Sequence, residues 1–285
     1  MIAFALNHMT VRRFDFARLV AAAADLGCVG IEVRNDLGGP LFDGLAPERA
    51  GALVRERGLR LLSVAELKCF NDWTADRARA AAALIDIASR AGAEAVSLIP
   101  RNDGQGTGNG ERQANLRLAL RNLAPMLADR GLVGLIEPLG FGRSSLRLKR
   151  EAVDAIEGLG VGDRFRLVHD SFHHALAGET QLFPAETGLV HVSGVADGAV
   201  DIDAMEDAHR GLVGPVDRLD NLGQLQALLA AGYGGPVSME SFAPEVHRLA
   251  DPVSALARSF EFLRSTLAGM AASGAGATMP ERASG

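Results

Sequence analysis

Cysteine is scarce in this chain. Its 285 residues contain two, Cys28 and Cys69, far apart and without a Cys-x-x-Cys pair. No disulfide framework can be read from them, and a reducing cytoplasm is the expected home. An excess of base is missing as well: 29 Lys and Arg stand against 35 Asp and Glu, a formal net charge of −6. Nucleic acid is therefore excluded as the expected partner, because phosphate binding needs a basic face that neutralises many charges. Long apolar runs are absent. The richest, AAAALIDIA at residues 80–88, falls well short of the ~20 residues a membrane helix needs, so no membrane association is expected. The opening MIAFALNHMT is too short and too mixed for a secretory signal. No Gly-x-Gly-x-x-Gly follows the first apolar run, where NHMTVRR stands instead. Histidine is also rare, at seven residues, yet three of them fall in the single stretch RLVHDSFHHAL, residues 166–176.

The chain does have apolar material, 48% of its residues, and a regular rhythm in it. Short aliphatic runs alternate nearly end to end with longer stretches whose apolar positions recur at helical spacing. Eight runs read as strands: residues 2–6, 29–33, 59–64, 95–99, 132–137, 164–170, 188–193 and 236–240. Helices are expected at 14–26, 47–57, 75–91, 111–130, 149–159, weakly near Ala175, at 219–231 and at 252–267. Five of them stop on a glycine, in DLGCVG, ERGLRL, RAGAEAV, DRGLVG and AAGYGGPV, as a left-handed helix cap requires before the chain returns to the sheet. Eight strand–helix units in about 250 residues are the usual size of a (β/α)8 barrel. An open doubly wound sheet is the weaker alternative, without its nucleotide-binding glycines. The expected organisation is an α/β fold, one TIM barrel domain over residues 1–268, followed by a mobile, Gly-rich tail over 269–285.

A barrel collects its chemistry at the C-terminal ends of its strands. The last four candidate strands carry Glu137 (LIEPLGF), Asp170 (LVHDSFHH), His191 (GLVHVSG) and Glu240 (VSMESFA) at or near those ends. Any one alone reads as readily as a helix cap or a core histidine. Four on successive strands converge on one arc of the mouth, where three crowded carboxylates either raise one another's pKa or bind a cation. One divalent metal, manganese, magnesium, cobalt or zinc, suits a mixed oxygen and imidazole shell. Other residues at strand ends are pocket candidates: Asn7 and His8 after the first strand, Glu32 and Arg34 on the second, Lys68 and Trp73 after the third. Trp73, the only tryptophan, would give a ligand's apolar face a stacking surface or cover the barrel mouth.

With AELKCFNDW, LIEPLGF, HDSFHH, the His191 strand, HRGLVGP and PVSMESF, the chain resembles the xylose isomerase-like superfamily of sugar isomerases and epimerases, and within it the inosose (2-keto-myo-inositol) isomerases of inositol catabolism. The resemblance extends to about Leu267. It implies that Glu137, Asp170, His191 and Glu240 are metal ligands, that His173 and Arg210 hold substrate, and that Glu137 and Glu240 move the proton. His169 and His174 receive no role from it, and a surface or helix-start position is expected for His174. The implied substrate is a keto-sugar or cyclitol, isomerised through an enediolate. Inosose dehydratase and ketose 3-epimerase activities, which begin with the same proton abstraction, are alternatives, and a non-catalytic sugar-binding barrel is a third. The histidine-rich strand ends of the related apurinic endonucleases are missing, since the third and fourth strands end in SVAEL and SLIPR. Barrels of this type are often dimers, so the resemblance allows a homodimer, while the residues themselves do not specify the oligomeric state.

Overall fold

In the computed structural model, which describes residues 2–275, eight parallel strands close on themselves in chain order. They are β1 (Ala3–Asn7), β2 (Gly30–Arg34), β3 (Arg60–Lys68), β4 (Ala95–Ile99), β5 (Val133–Ile136), β6 (Phe165–Asp170), β7 (Thr187–Val192) and β8 (Pro236–Met239). Phe4 of β1 pairs with Val237 of β8, which closes the ring. The (β/α)8 barrel is thus the fold, in one domain. The helices are α1 (Phe16–Asp25), α2 (Pro47–Glu56), α3 (Ala75–Ala91), α4 (Glu111–Ala128), α5 (Lys149–Leu159), α6 (Ser171–Ala177), α7 (Asn221–Ala230), the single turn α8 (Pro244–His247) and α9 (Pro252–Ala275).

Local chemistry explains the boundaries. Asp15 and Thr74 cap α1 and α3 by accepting from the backbone N–H groups of Arg18 and Arg77 at 2.8 and 3.1 Å, so α1 begins two residues later than periodicity alone suggests. The five stop glycines, Gly27, Gly58, Gly92, Gly131 and Gly232, all have positive φ. On α4, Leu116, Leu120, Leu123 and Leu127 recur at helical spacing and are buried, each contributing about 1.5–3 kcal/mol by leaving water. Three differences from the sequence pattern matter. Strand β3 runs on to Lys68, whereas β5 and β8 stop one residue before Glu137 and Glu240. Helix α9 continues through Ala275, past both Leu267 and the boundary expected at 268, while the rest of the expected tail lies outside the described residues. The turn α8 has no apolar periodicity long enough to read.

Inside the ring the two-residue period sorts the side chains by height. Ala5, Leu62, Leu135, Val168 and Leu189 form one apolar plug. Two positions further along β1, β5, β6 and β7 stand Asn7, Glu137, Asp170 and His191, and all four are buried. The barrel interior is therefore apolar in this layer and polar in the one above it.

Candidate metal centre

Glu137, Asp170, His191 and Glu240 meet at the top of the barrel, each offering a donor atom within 4.8 Å of the others. Nδ1 of His191 sits in the middle, 3.2 Å from Oε2 of Glu240 and 3.8 Å from both Oε2 of Glu137 and Oδ2 of Asp170. Asp170 divides its two oxygens. Oδ1 accepts from the backbone N–H groups of Phe172 and His173 at 2.8 and 3.0 Å and caps α6, which leaves Oδ2 for the cluster. The helix-cap and ligand readings of this aspartate are therefore compatible.

A second layer fixes the first. Nε2 of His191 lies 3.0 and 3.1 Å from the two oxygens of Glu32, which has no solvent exposure. Glu32 also accepts from Ser238 at 2.6 Å, Ser63 at 3.1 Å and Asn7 at 3.2 Å. Two guanidiniums divide the Glu240 carboxylate: Arg34 donates to Oε1 at 2.8 Å and Arg210 to Oε2 at 2.9 Å. Arg210 also pairs with Asp170 and is itself buried. Its loop is pinned by a bridge between Gly194 and Gly211, and its carbonyl accepts from the backbone N–H groups of Phe242 and Ala243. A side chain at Gly194 would put Cβ 2.5 Å from the Leu212 carbonyl, so only glycine lets the two loops approach.

Charge in the cluster is unevenly compensated. Burial, with the adjacent Glu240 charge, pushes Glu137 up to about 7. Burial also acts to raise Glu240, but His191, Arg210 and Arg34 outweigh it and hold that carboxyl well below its usual range. For His191 burial disfavours the imidazolium, yet Glu240 and Glu32 prevail and raise its pKa well above 6.5. The donor set fits a divalent cation on a direct observation: Nδ1 of His191 is buried without a hydrogen-bond partner and faces three carboxylates. Three oxygens and one imidazole nitrogen suit manganese, magnesium, cobalt or zinc.

A cavity of about 430 Å3 opens over the cluster. Its lining combines apolar side chains, Ile99, Leu139 and Phe141, with charged ones, Arg34, Glu66 and Asp207 among them. Glu137, Glu240, His173, Arg210 and Lys68 all line it. His173 places Nε2 3.8 Å from Glu137, and its Nδ1 has no partner. Trp73 is not among the lining residues; it is half-buried and packs against the main apolar core. His8 is also absent from the lining, its Nε2 engaged with the Phe14 carbonyl at 2.9 Å. Glu32 and Asn7 lie beneath the cluster rather than in the cavity, and Arg34 reaches it.

His174 is half-buried in α6, not on the surface. Its Nδ1 lies 2.6 Å from the ammonium of Lys149, which also reaches Nδ1 of His169 at 3.2 Å. Sequence reasoning gave Lys149, Ser63 and Ser238 no part in this region. A serine or lysine among aliphatic residues carries no signal until the register shows what it faces. Glu32 had one: a carboxylate in the middle of GIEVR, a run that proves buried at every position.

A closed parallel barrel with one imidazole and three carboxylates at its C-terminal mouth defines a class, the (β/α)8 proteins with a donor cluster that could hold a metal. A family model described as xylose isomerase-like TIM barrel matches residues 20–266, and the chain belongs to that family. Comparison with curated protein sequences returns no match. Among solved structures, a xylose isomerase domain-containing protein from Salmonella typhimurium is 26% identical, with a TM-score of 0.85 over 93% of this chain and 97% of that one. An IolI protein with a bound zinc atom is 19% identical, with a TM-score of 0.81 over 93% and 99%. An L-ribulose 3-epimerase is 18% identical, with a TM-score of 0.77 over 99% and 100%. The last two likenesses concern the fold.

Proposed function

We propose that this protein is a divalent-metal-dependent isomerase of a keto-sugar or keto-inositol, of the 2-keto-myo-inositol isomerase type. The observation that carries the reading is the buried Glu137, Asp170, His191 and Glu240 cluster beneath a cavity lined by both apolar and charged side chains. Glu137, Asp170, His191 and Glu240 would hold the cation, which supplies Lewis acidity toward substrate oxygens. The protein's own groups do the rest. Glu137 and Glu240 come from β5 and β8, three strands apart around the ring, and face one cavity. Of the two, Glu240 is neutralised by two guanidiniums, while among the described residues the ion-pair partners of Glu137 are imidazoles, at 3.8 Å. Glu137 is therefore the base that takes the proton from the carbon beside the carbonyl, and Glu240 serves the neighbouring carbon. Arg210 stabilises developing negative charge on oxygen, and His173 orients a substrate hydroxyl. The polar lining residues would recognise hydroxyls, and the apolar ones would exclude water.

Supplied with manganese, magnesium, cobalt or zinc in turn, the protein should catalyse exchange of solvent deuterium into a ketose or inosose beside the carbonyl, read by NMR. Product identity in the same tubes separates isomerisation from 3-epimerisation and dehydration. Glu137→Gln should abolish exchange. Ligand binding without exchange for any ketose or inosose tried would overturn the enzymatic reading in favour of a sugar-binding barrel.

A further inference from the structure

A second cavity, of about 300 Å3, lies between the segments that follow β1 and β8, and no residue of the metal centre lines it. Its charge is of one sign. Arg13, Arg18 and Arg248 line it beside His247, and no acidic residue does. In a chain with net charge −6 such a grouping is not what composition supplies. Several exposed arginines elsewhere pair with carboxylates, Arg49 with Glu56 and Arg143 with Glu206 among them. Among the described residues Arg13, Arg18 and Arg248 have no such partner. Asp15, the nearest acid in sequence to Arg13 and Arg18, is engaged in capping α1.

One of these guanidiniums is held in place. Arg18 stacks over the Phe14 ring, 3.9 Å from its centroid, which fixes the planar group while leaving its N–H edges free for an acceptor. The floor of the cavity is wired to β8. Thr10 donates to the Met239 carbonyl at 2.8 Å and accepts from the Ser241 N–H at 2.9 Å, so it grips both neighbours of Glu240. His247 donates from Nε2 to the Ser241 carbonyl at 3.1 Å.

We infer that this cavity is an anion-binding site, separate from the metal centre, for a small dianion of the phosphate or phosphate-monoester class. Guanidiniums match phosphate geometry bidentately, and three of them around one space neutralise a dianion where a single surface arginine would not. The volume admits a phosphate together with a few carbon atoms. Through Thr10 and His247 the occupant would brace the peptide that carries Glu240. The inference stands independently of the catalytic reading.

Calorimetric titration of the full chain, treated with EDTA and held at constant ionic strength with sodium chloride, tests it with inorganic phosphate and glycerol 3-phosphate in separate arms. One saturable site is expected in at least one arm, and the tighter arm identifies free phosphate or monoester. The double substitution Arg18→Ala with Arg248→Ala should weaken binding at least about tenfold, while Arg143→Ala, at a paired arginine, should not. Circular dichroism verifies that both proteins fold. In hydrogen exchange, saturating ligand should also slow the Ser241 amide. The inference fails if neither anion saturates by ~10 mM, or if the double variant binds as the parent does.

Discussion

Glu32 holds Nε2 of His191 between its two carboxylate oxygens, at 3.0 and 3.1 Å, from a position without solvent exposure. Nε2 donates to this carboxylate, so Nδ1 is turned toward Glu137, Asp170 and Glu240, and a metal that displaces the Nδ1 proton would meet its lone pair there. Histidine ligands oriented by a carboxylate behind them bind metal more tightly, and losing such a partner typically costs 10- to 100-fold in affinity. Glu32→Gln keeps the shape and an acceptor oxygen but removes the charge. It should fold normally and weaken manganese or zinc binding by about 10- to 100-fold, measured by competition with a chromophoric chelator. Unchanged affinity would remove Glu32 from any positioning role.

Arg210 neutralises Asp170 and Glu240 at the same oxygens that face the cluster. All three side chains are buried, and breaking a buried pair by deleting one partner strands the other charges at a cost of about 3–5 kcal/mol. Arg210→Met should therefore lower denaturant stability by about that much in EDTA. With saturating divalent metal the loss should be clearly smaller, because a cation held by Asp170 and Glu240 would replace the missing guanidinium charge. Equal losses in both conditions would show that Arg210 acts by packing between Phe172 and Phe242, whose rings lie 5.1 and 4.5 Å from its guanidinium carbon.

What the sequence reveals and conceals follows from the same geometry. Strand rhythm and stop glycines define the barrel, because each is a local property of backbone and period. Ligand positions are legible because a barrel puts strand ends in one place, so Glu137, Asp170, His191 and Glu240 can be read from eight boundaries known to within a residue or two. The second layer is not legible. Ser63, Ser238 and Asn7 converge on Glu32 from three other strands, and only the register of the closed sheet sets that convergence. Trp73 illustrates the converse: its strand-end position suggests the cavity, but its ring finds more contact against the apolar core.

Gly140 lies three residues after Glu137, against α6. A Cβ there would come 2.2 Å from the His173 carbonyl and 2.7 Å from Cβ of Leu176, the first of which is backbone that cannot swing aside. Gly140→Ala should cost about 1–3 kcal/mol, the usual penalty of overpacking, read by chemical denaturation. Since α6 carries His173 in its first turn, the same substitution should impair ketose binding more than metal binding. A variant as stable as the parent would mean that the β5 loop yields freely.

Lys149 sets a pH dependence opposite to that of a surface ion pair. Burial lowers its pKa to about 8, and the Glu179 carboxylate 3.5 Å away offsets only part of that effect. The ordinary lysine value in the unfolded chain is near 10.4. Between these two values the unfolded chain binds more protons than the folded one, so this group's contribution to stability rises with pH. Below about pH 8 the buried ammonium carries its full desolvation cost, although it donates to His169 and His174. Lys149→Met removes the titration but leaves both imidazoles without their donor at every pH. The stability of the parent minus that of the variant should therefore climb between about pH 8 and 10.5, by on the order of 3 kcal/mol. Urea denaturation of both proteins across that window measures it, and groups common to the two cancel in the difference. A difference that falls with rising pH would mean that the Glu179 pair, not burial, governs this lysine.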